Sequence, residues 1–210
     1  MPSNERIRGW LFVLSLAFFI PAPAMALDIR DLEITHEGDR YRVHFDVVVP
    51  VLSARAQALL GDYHQWPNLS DTMTESRLLQ TYPDGRQRVR VVFHSCVLLF
   101  CKDVSQTKEL DNRQDGEIRA VVVPAQSDFR YGWEHWQIRP AKDLTRIQYR
   151  AEFVPAFALP PVIGPWILKT KLRQQLILTV ERLELLAGKE IEPASHRDLP
   201  IRGRLEDVRS

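Results

Sequence analysis

Phe157-Ala-Leu-Pro-Pro-Val-Ile-Gly-Pro-Trp166, running on into residues 167–187, decides how the rest of this 210-residue chain is read. Leu168, Leu172, Leu176, Thr179, Val180, Leu183 and Leu186 recur at three- and four-residue steps, the spacing of one face of an α-helix. Lys169, Arg173, Arg182 and Glu184 fall off that stripe. The helix is therefore amphipathic and needs an apolar partner. The Pro-Pro and Gly-Pro pairs bound its start, and Gly188 is expected to stop it.

Everything upstream reads as short strands. Tyr41, Val43, Phe45, Val47 and Val49 alternate with Arg42, His44 and Asp46. Val89, Val91 and Phe93 alternate with Arg88, Arg90 and His94, and Ile147, Tyr149, Ala151 and Phe153 with Arg146, Gln148, Arg150 and Glu152. This period of two marks half-buried antiparallel strands. Strands are expected over 27–37, 40–49, 74–82, 87–96, 102–110, 117–123, 130–138 and 146–153. Turns fall at Gly38-Asp39, Pro83-Asp84-Gly85 and 111–116. After the second strand, Ser53 is placed to cap a short helix over 54–60 that Gly61 closes. Residues 62–67 read as a second helical turn broken by Pro67. The fold class is α+β, a curved antiparallel sheet serving as partner to the last helix. Sheet and helix either fill the space between them with side chains or leave room for a guest.

The two ends read differently. Arg6 and Arg8, the apolar run 10–20 and Ala24-Met25-Ala26 have the layout of a secretory signal peptide cleaved after Ala26. The run is shorter than the ~20 residues of a membrane-spanning helix, although an uncleaved anchor is the other reading. Residues 189–210 are charged, balanced in sign and nearly free of apolar anchors, so a disordered tail is expected. One domain remains, over 27–188. Removing residues 1–26 takes away Arg6, Arg8 and Glu5 and brings the formal charge from +1 to 0. A neutral chain does not suit a nucleic-acid partner, which calls for a basic face. The expected location is exported, and periplasmic in a two-membrane bacterium.

Three local patterns, in their order, resemble the START-like, helix-grip superfamily, in particular its polyketide cyclase/dehydrase and coenzyme Q-binding branch. The first is a proline-ended strand followed by Ser53 to Leu60 and Gly61-Asp62-Tyr63…Trp66-Pro67. The second is Ser127-Asp128-Phe129…Gly132…Trp136-Gln-Ile-Arg-Pro140 with the strand after it, and the third is Phe157-Ala-Leu-Pro160 leading into the helix. The resemblance spans roughly residues 40–187 and implies a helix-grip fold: a curved antiparallel sheet wrapped around a long C-terminal helix, with a cavity between them. It implies a hydrophobic guest such as a lipid, an isoprenoid quinone, a sterol or an aromatic polyketide. Most members of the superfamily bind or carry, and a minority catalyse. The signal peptide departs from the usual soluble members.

The expected ligand contacts are Tyr63, Trp66, Val91, Phe93, Trp136, Tyr149, Phe153 and Trp166, joined on the helix by Leu172, Gln175, Leu176 and Thr179. Core packing alone accounts for any one of the apolar residues. Gln175 and Thr179 lie within the apolar stripe and must find partners, either a ligand head group or strand backbone. Glu134 shares a strand face with Trp136 and Ile138, so it enters the cavity if they do. It is the one candidate general acid or base; a hydrogen-bonded or rim glutamate is the alternative. His44 and His94 fall on polar strand faces, and His64 sits on a loop that reaches a cavity mouth or the surface. No HxxxH or HxH spacing, G-x-S-x-G elbow or glycine-rich phosphate loop occurs, so neither metal nor cofactor is expected. Three functions remain: an exported, monomeric binder or carrier; an enzyme of the cyclase, dehydratase or hydrolase kind; and an interaction module with a filled cavity.

Cys96 and Cys101 carry one more expectation. Residues 87–110 read as strand throughout, without a glycine, proline or asparagine. That is too long for one strand of about 3–10 residues, so the chain must reverse. A reversal over Val97, Leu98, Leu99 and Phe100 sets Cys96 opposite Cys101, within disulfide range. An exported chain lives where such a bond persists. The reversal also creates an apolar tip that touches a membrane, gates the cavity or folds back on the protein's own helices.

Overall fold

The computed structural model describes residues 27–97, 100–113, 115–157 and 164–189. The expected signal peptide and all but the first residue of the expected tail lie outside the described residues, as do Leu98 and Leu99 of the apolar tip.

A hairpin of β1 (Asp28–Glu37) and β2 (Arg40–Val49) comes first, followed by α1 (Ser53–Gly61) and α2 (Trp66–Leu69). A meander of β3 (Met73–Thr81), β4 (Gln87–Val97), β5 (Phe100–Arg113), β6 (Glu117–Val122), β7 (Phe129–Ala141) and β8 (Leu144–Pro155) follows, and α3 (Gly164–Lys189) ends it. The spatial order is β1-β2-β8-β7-β6-β5-β4-β3. The first hairpin thus docks on the last strand: Tyr41 faces Phe153 and Val47 faces Ile147 in an antiparallel ladder. All seven strand pairings are antiparallel, as the alternating patterns require. Register shifts in β1, β3 and β7 supply the local bends that a curved sheet needs.

The inner face of β2, with Tyr41, Val43, Phe45, Val47 and Val49, is buried throughout. Ile147 and Ala151 of β8, Val89 and Val91 of β4, and Leu59 and Leu60 of α1 join the core. On α3 the buried hydrophobic residues are Leu176 at its middle and Val180, Leu183 and Ala187 beyond it. Leu172 and Leu168, one and two turns nearer its start than Leu176, are only partly buried. The helix is clamped at one end and spans a gap at the other.

Several local expectations are corrected. Ser53 does not cap α1; the cap is Leu52, whose carbonyl accepts from Arg55 and Ala56 N–H, leaving the Ser53 hydroxyl one residue late. Gly61 is the last residue of α1, and the Asn112 side chain lies against it, where an added Cβ would stand 2.1 Å from Nδ2. Pro67 opens α2 rather than breaking it, since its missing N–H falls in the first turn where no helical bond is lost. β5 runs on to Arg113 through the expected turn, because Asp111, Asn112 and Arg113 pair with Arg119, Ile118 and Glu117. Gly188 does not stop α3, which is helical through Lys189, the last described residue. Asp46, on the polar face of β2, is buried: Arg146 and Gln148 of β8 hold its carboxylate.

A ligand cavity between sheet and helix

The gap under the N-terminal half of α3 is a cavity of about 670 Å³. Its sheet wall uses β2 and every strand from β3 to β8: Val43, Met73, Phe93, Ile118, Trp136 and Tyr149 are representative. Leu168, Leu172, Leu176 and Thr179 of α3 form the roof, and Trp66 and Leu69 of α2 close one side. Drug-sized ligands occupy about 300–1,000 Å³, so the space is large enough for a guest. Of the two alternatives, a space filled by side chains or room for a guest, the structure has the second.

Of the expected contacts, Trp66, Phe93, Trp136, Tyr149, Phe153, Leu172, Gln175, Leu176 and Thr179 line this space. Three do not. Val91 and Tyr63 are in the packed core, where β4 and the α1–α2 corner leave no gap. Trp166 is 69% exposed on the outer side of the first turn of α3. His64 is exposed, with its ring against Tyr63, and lies outside the lining.

The motifs behind the resemblance act as local positioning devices. Trp66 Nε1 donates to the Leu60 carbonyl at 2.8 Å, which sets the indole across the cavity side. Asp128 Oδ2 accepts from Ser105 N–H at 2.7 Å and from its hydroxyl at 3.0 Å. Ser127 Oγ accepts from Thr107 N–H. Together these tie the start of β7 to β5 and bring Phe129 into the lining. Trp136 and Tyr149 are registered partners on β7 and β8, with ring centroids 4.2 Å apart.

An ion pair is set into the wall. Lys108 Nζ donates to Glu134 Oε1 at 2.7 Å, and the same ammonium lies 4.9 Å from the centre of the Trp66 ring. Glu134 therefore does share the cavity face with Trp136, as strand alternation implies. Burial, with the Glu134 charge nearby, pushes the Tyr149 hydroxyl well above the usual tyrosine range. Gln175 Oε1 accepts from Thr72 Oγ1 at 3.1 Å, whereas Thr179 Oγ1 donates to the Gln175 carbonyl one turn back. Neither residue bonds to strand backbone.

Lys108, Gln106, Ser70, Asp71 and Thr72 are lining residues that the sequence reading did not single out. A signal existed for the first two. Val104, Gln106, Lys108 and Leu110 alternate with Ser105, Thr107 and Glu109, which puts Gln106 and Lys108 on the Leu110 face. For 70–72 no periodicity exists, because they join α2 to β3.

Cys96 and Cys101 are registered partners and form a disulfide, as the hairpin argument expects. His94 lies near enough that one ligand atom from each of the three residues falls within 4.8 Å of the others. Both sulfurs are bonded to each other, so this cluster offers no thiolate to a metal. Among the described residues no helix is long and apolar enough to cross a membrane.

A sequence model described as polyketide cyclase / dehydrase and lipid transport matches residues 49–179. The chain belongs to that family. The family match suggests hydrophobic ligand binding. Three solved structures illustrate the shared helix-grip fold. A START superfamily protein from Mycobacterium smegmatis is 18% identical over 71% of this chain and 98% of its own, with a TM-score of 0.57. The Zhui aromatase/cyclase from Streptomyces sp. R1128 is 15% identical over 74% and 98%, with a TM-score of 0.58. A STAR-related lipid transfer protein from Xanthomonas axonopodis is 14% identical over 75% and 98%, with a TM-score of 0.55. No curated protein matches the chain. At such identities the family likeness carries the fold and leaves the guest to be argued from the cavity.

Proposed function

We propose that this protein is an exported, monomeric carrier of a hydrophobic small molecule, such as a lipid or isoprenoid quinone. The supporting observation is the cavity of about 670 Å³ with a largely apolar wall and one ion pair set into it. A guest with a long apolar body and one polar end fits that arrangement. Burying a 12-carbon chain is worth about 10 kcal/mol at ~0.8 kcal/mol per CH₂. Association costs reduce this to binding on the order of micromolar. Cleavage after Ala26 and a periplasmic location belong to the same reading, as does transient membrane contact through Val97, Leu98, Leu99 and Phe100.

Native mass spectrometry of protein purified from the exported fraction tests it. The expected result is a chain starting at Leu27, monomeric, with a co-purifying hydrophobic compound. A clean apo mass, together with no uptake of lipids or quinones, overturns it. Liposome flotation of wild type against Leu98→Ser/Leu99→Ser tests the tip; equal flotation removes the membrane contact.

A second reading, acid–base catalysis, is favoured by Glu134 standing in the cavity beside Lys108. It requires that the compound released by wild type differ in mass from the one released by Glu134→Gln. Identical compounds leave the carrier reading alone.

A further inference from the structure

The β4–β5 hairpin end holds a cluster that the cavity does not use. On this antiparallel ladder His94 is registered opposite Asp103, and Cys96 opposite Cys101. His94 and Cys96 are two residues apart on one strand and so share a face. His94 Nε2 lies 3.5 Å from Cys96 Sγ, and its Nδ1 lies 2.6 Å from Asp103 Oδ1. A carboxylate only accepts, so Nδ1 carries the proton shared with Asp103 and Nε2 is left to exchange one with the sulfur. All four residues are exposed, and a reagent can reach the disulfide.

We propose that Cys96–Cys101 is a thiol–disulfide exchange centre, with a small or protein-borne dithiol as its co-reactant. The thiolate of the reductant attacks Cys101 Sγ and forms a mixed disulfide there. The S–S electron pair passes to Cys96, and the proton shed by the attacking thiol is relayed to Cys96 Sγ through His94 Nε2. The second thiolate of the reductant then attacks its own sulfur in the mixed disulfide and expels Cys101. The two thiol protons of the reductant end on Cys96 and Cys101, so the protein gains two electrons and two protons and the reductant departs as a disulfide. The direction of attack follows from leaving-group stability: the better stabilised thiolate departs faster. Cys96 is the sulfur with an imidazole in hydrogen-bond reach. Asp103 acts through His94 as a positioning residue, holding the ring so that Nε2 faces the sulfur.

The centre stands apart from the carrier reading, yet the same hairpin forms part of the cavity wall. Phe93 of β4 and Val104 of β5 line the cavity. Lys102, next to Cys101, places its ammonium 4.5 Å from the centre of the Phe157 ring, another lining residue.

The test uses full-length protein from the exported fraction. It is exposed briefly to glutathione, quenched with acid, and alkylated at the freed thiol. Residues 91–102 form one tryptic fragment holding both cysteines, and its fragmentation spectrum shows which sulfur carries glutathione. The expected product has glutathione on Cys101 and the alkyl group on Cys96. His94→Gln is expected to slow reduction by dithiothreitol about tenfold and to spread glutathione over both sulfurs. Asp103→Asn is expected to do the same to a lesser degree. Both side chains are exposed, so far-ultraviolet circular dichroism should be unchanged. Glutathione mainly on Cys96 in the wild type overturns the proposal, as do equal reduction rates in wild type and His94→Gln.

Discussion

Lys108 on β5 reaches across β6 to Glu134 on β7, closing an ion pair at 2.7 Å with side chains 6% and 18% exposed. The residue of β6 registered opposite Glu134 is Ala120, whose methyl group leaves the space above it free. The pair therefore spans three strands of a largely apolar wall. Removing one partner of such a pair leaves the other buried and uncompensated, whereas replacing both is far milder. Glu134→Gln and Lys108→Met should each destabilise by about 2–4 kcal/mol, below the usual range for fully buried pairs because the wall borders a cavity. The double variant should lose less than the sum. Urea denaturation in a double-mutant cycle reads the coupling, and additive losses would show the pair to be unimportant.

Acid sensitivity should centre on Glu117. Hydrogen bonding to Arg119 first, with Gln137 and His135 also near, holds its carboxyl at about 2 against an ordinary 4.5. A carboxyl depressed by folding adds stability that is complete above its unfolded pKa and vanishes as pH falls through the folded one. The melting-temperature gap between wild type and Glu117→Gln should therefore be constant above about pH 5 and close between pH 4.5 and 2. A gap unchanged across that window would contradict the assignment. Asp46, lowered by Arg146, should move in the same direction.

Two turn glycines should respond differently to alanine. Gly85 has φ +86° and open space where a Cβ would go, so only the backbone conformation is strained. Gly116 has φ +89°, and its Cβ would stand 2.3 Å from the Ile138 carbonyl oxygen. That oxygen belongs to β7 backbone, and Ile138 N–H already donates to the Gly116 carbonyl at 2.7 Å. Gly85→Ala should cost about 1 kcal/mol, and Gly116→Ala clearly more, as thermal melts of the pair would show.

The middle and the C-terminal part of α3 should differ in the same way. Leu183 is fully buried in the core, so Leu183→Ala should cost about 2–5 kcal/mol. Leu176 also lines the cavity and already lacks neighbours on one side. Leu176→Ala should cost less in the ligand-free protein. Leu176→Glu should cost several kcal/mol, since it sets a charge against an apolar roof. Melts of all three variants decide whether the helix faces the sheet as described.

Periodicity fixed most elements of this fold before any coordinates. A half-buried strand must alternate, and a helix that covers a sheet must repeat its apolar residues every three or four positions; Tyr41 to Val49 and Leu168 to Leu186 do so. The Cys96–Cys101 pairing was legible for a related reason, because an over-long strand has to fold back and few reversals balance its two halves. Lys108 was legible only in part, since alternation places it on the inner face without naming its partner. Glu134 is 26 residues away and two strands over, and only the pairing of β5, β6 and β7 brings the two within hydrogen-bond distance. Asp46 reads as a surface residue until Arg146, 100 residues later, is laid beside it by the docking of β2 on β8. Whether Tyr63, Val91 or Trp166 meets a guest was likewise beyond any local pattern. Burial periodicity distinguishes inside from outside, whereas a cavity is a volume left over when distant elements fail to meet. Only the tertiary arrangement of α3 over the sheet decides where that volume lies.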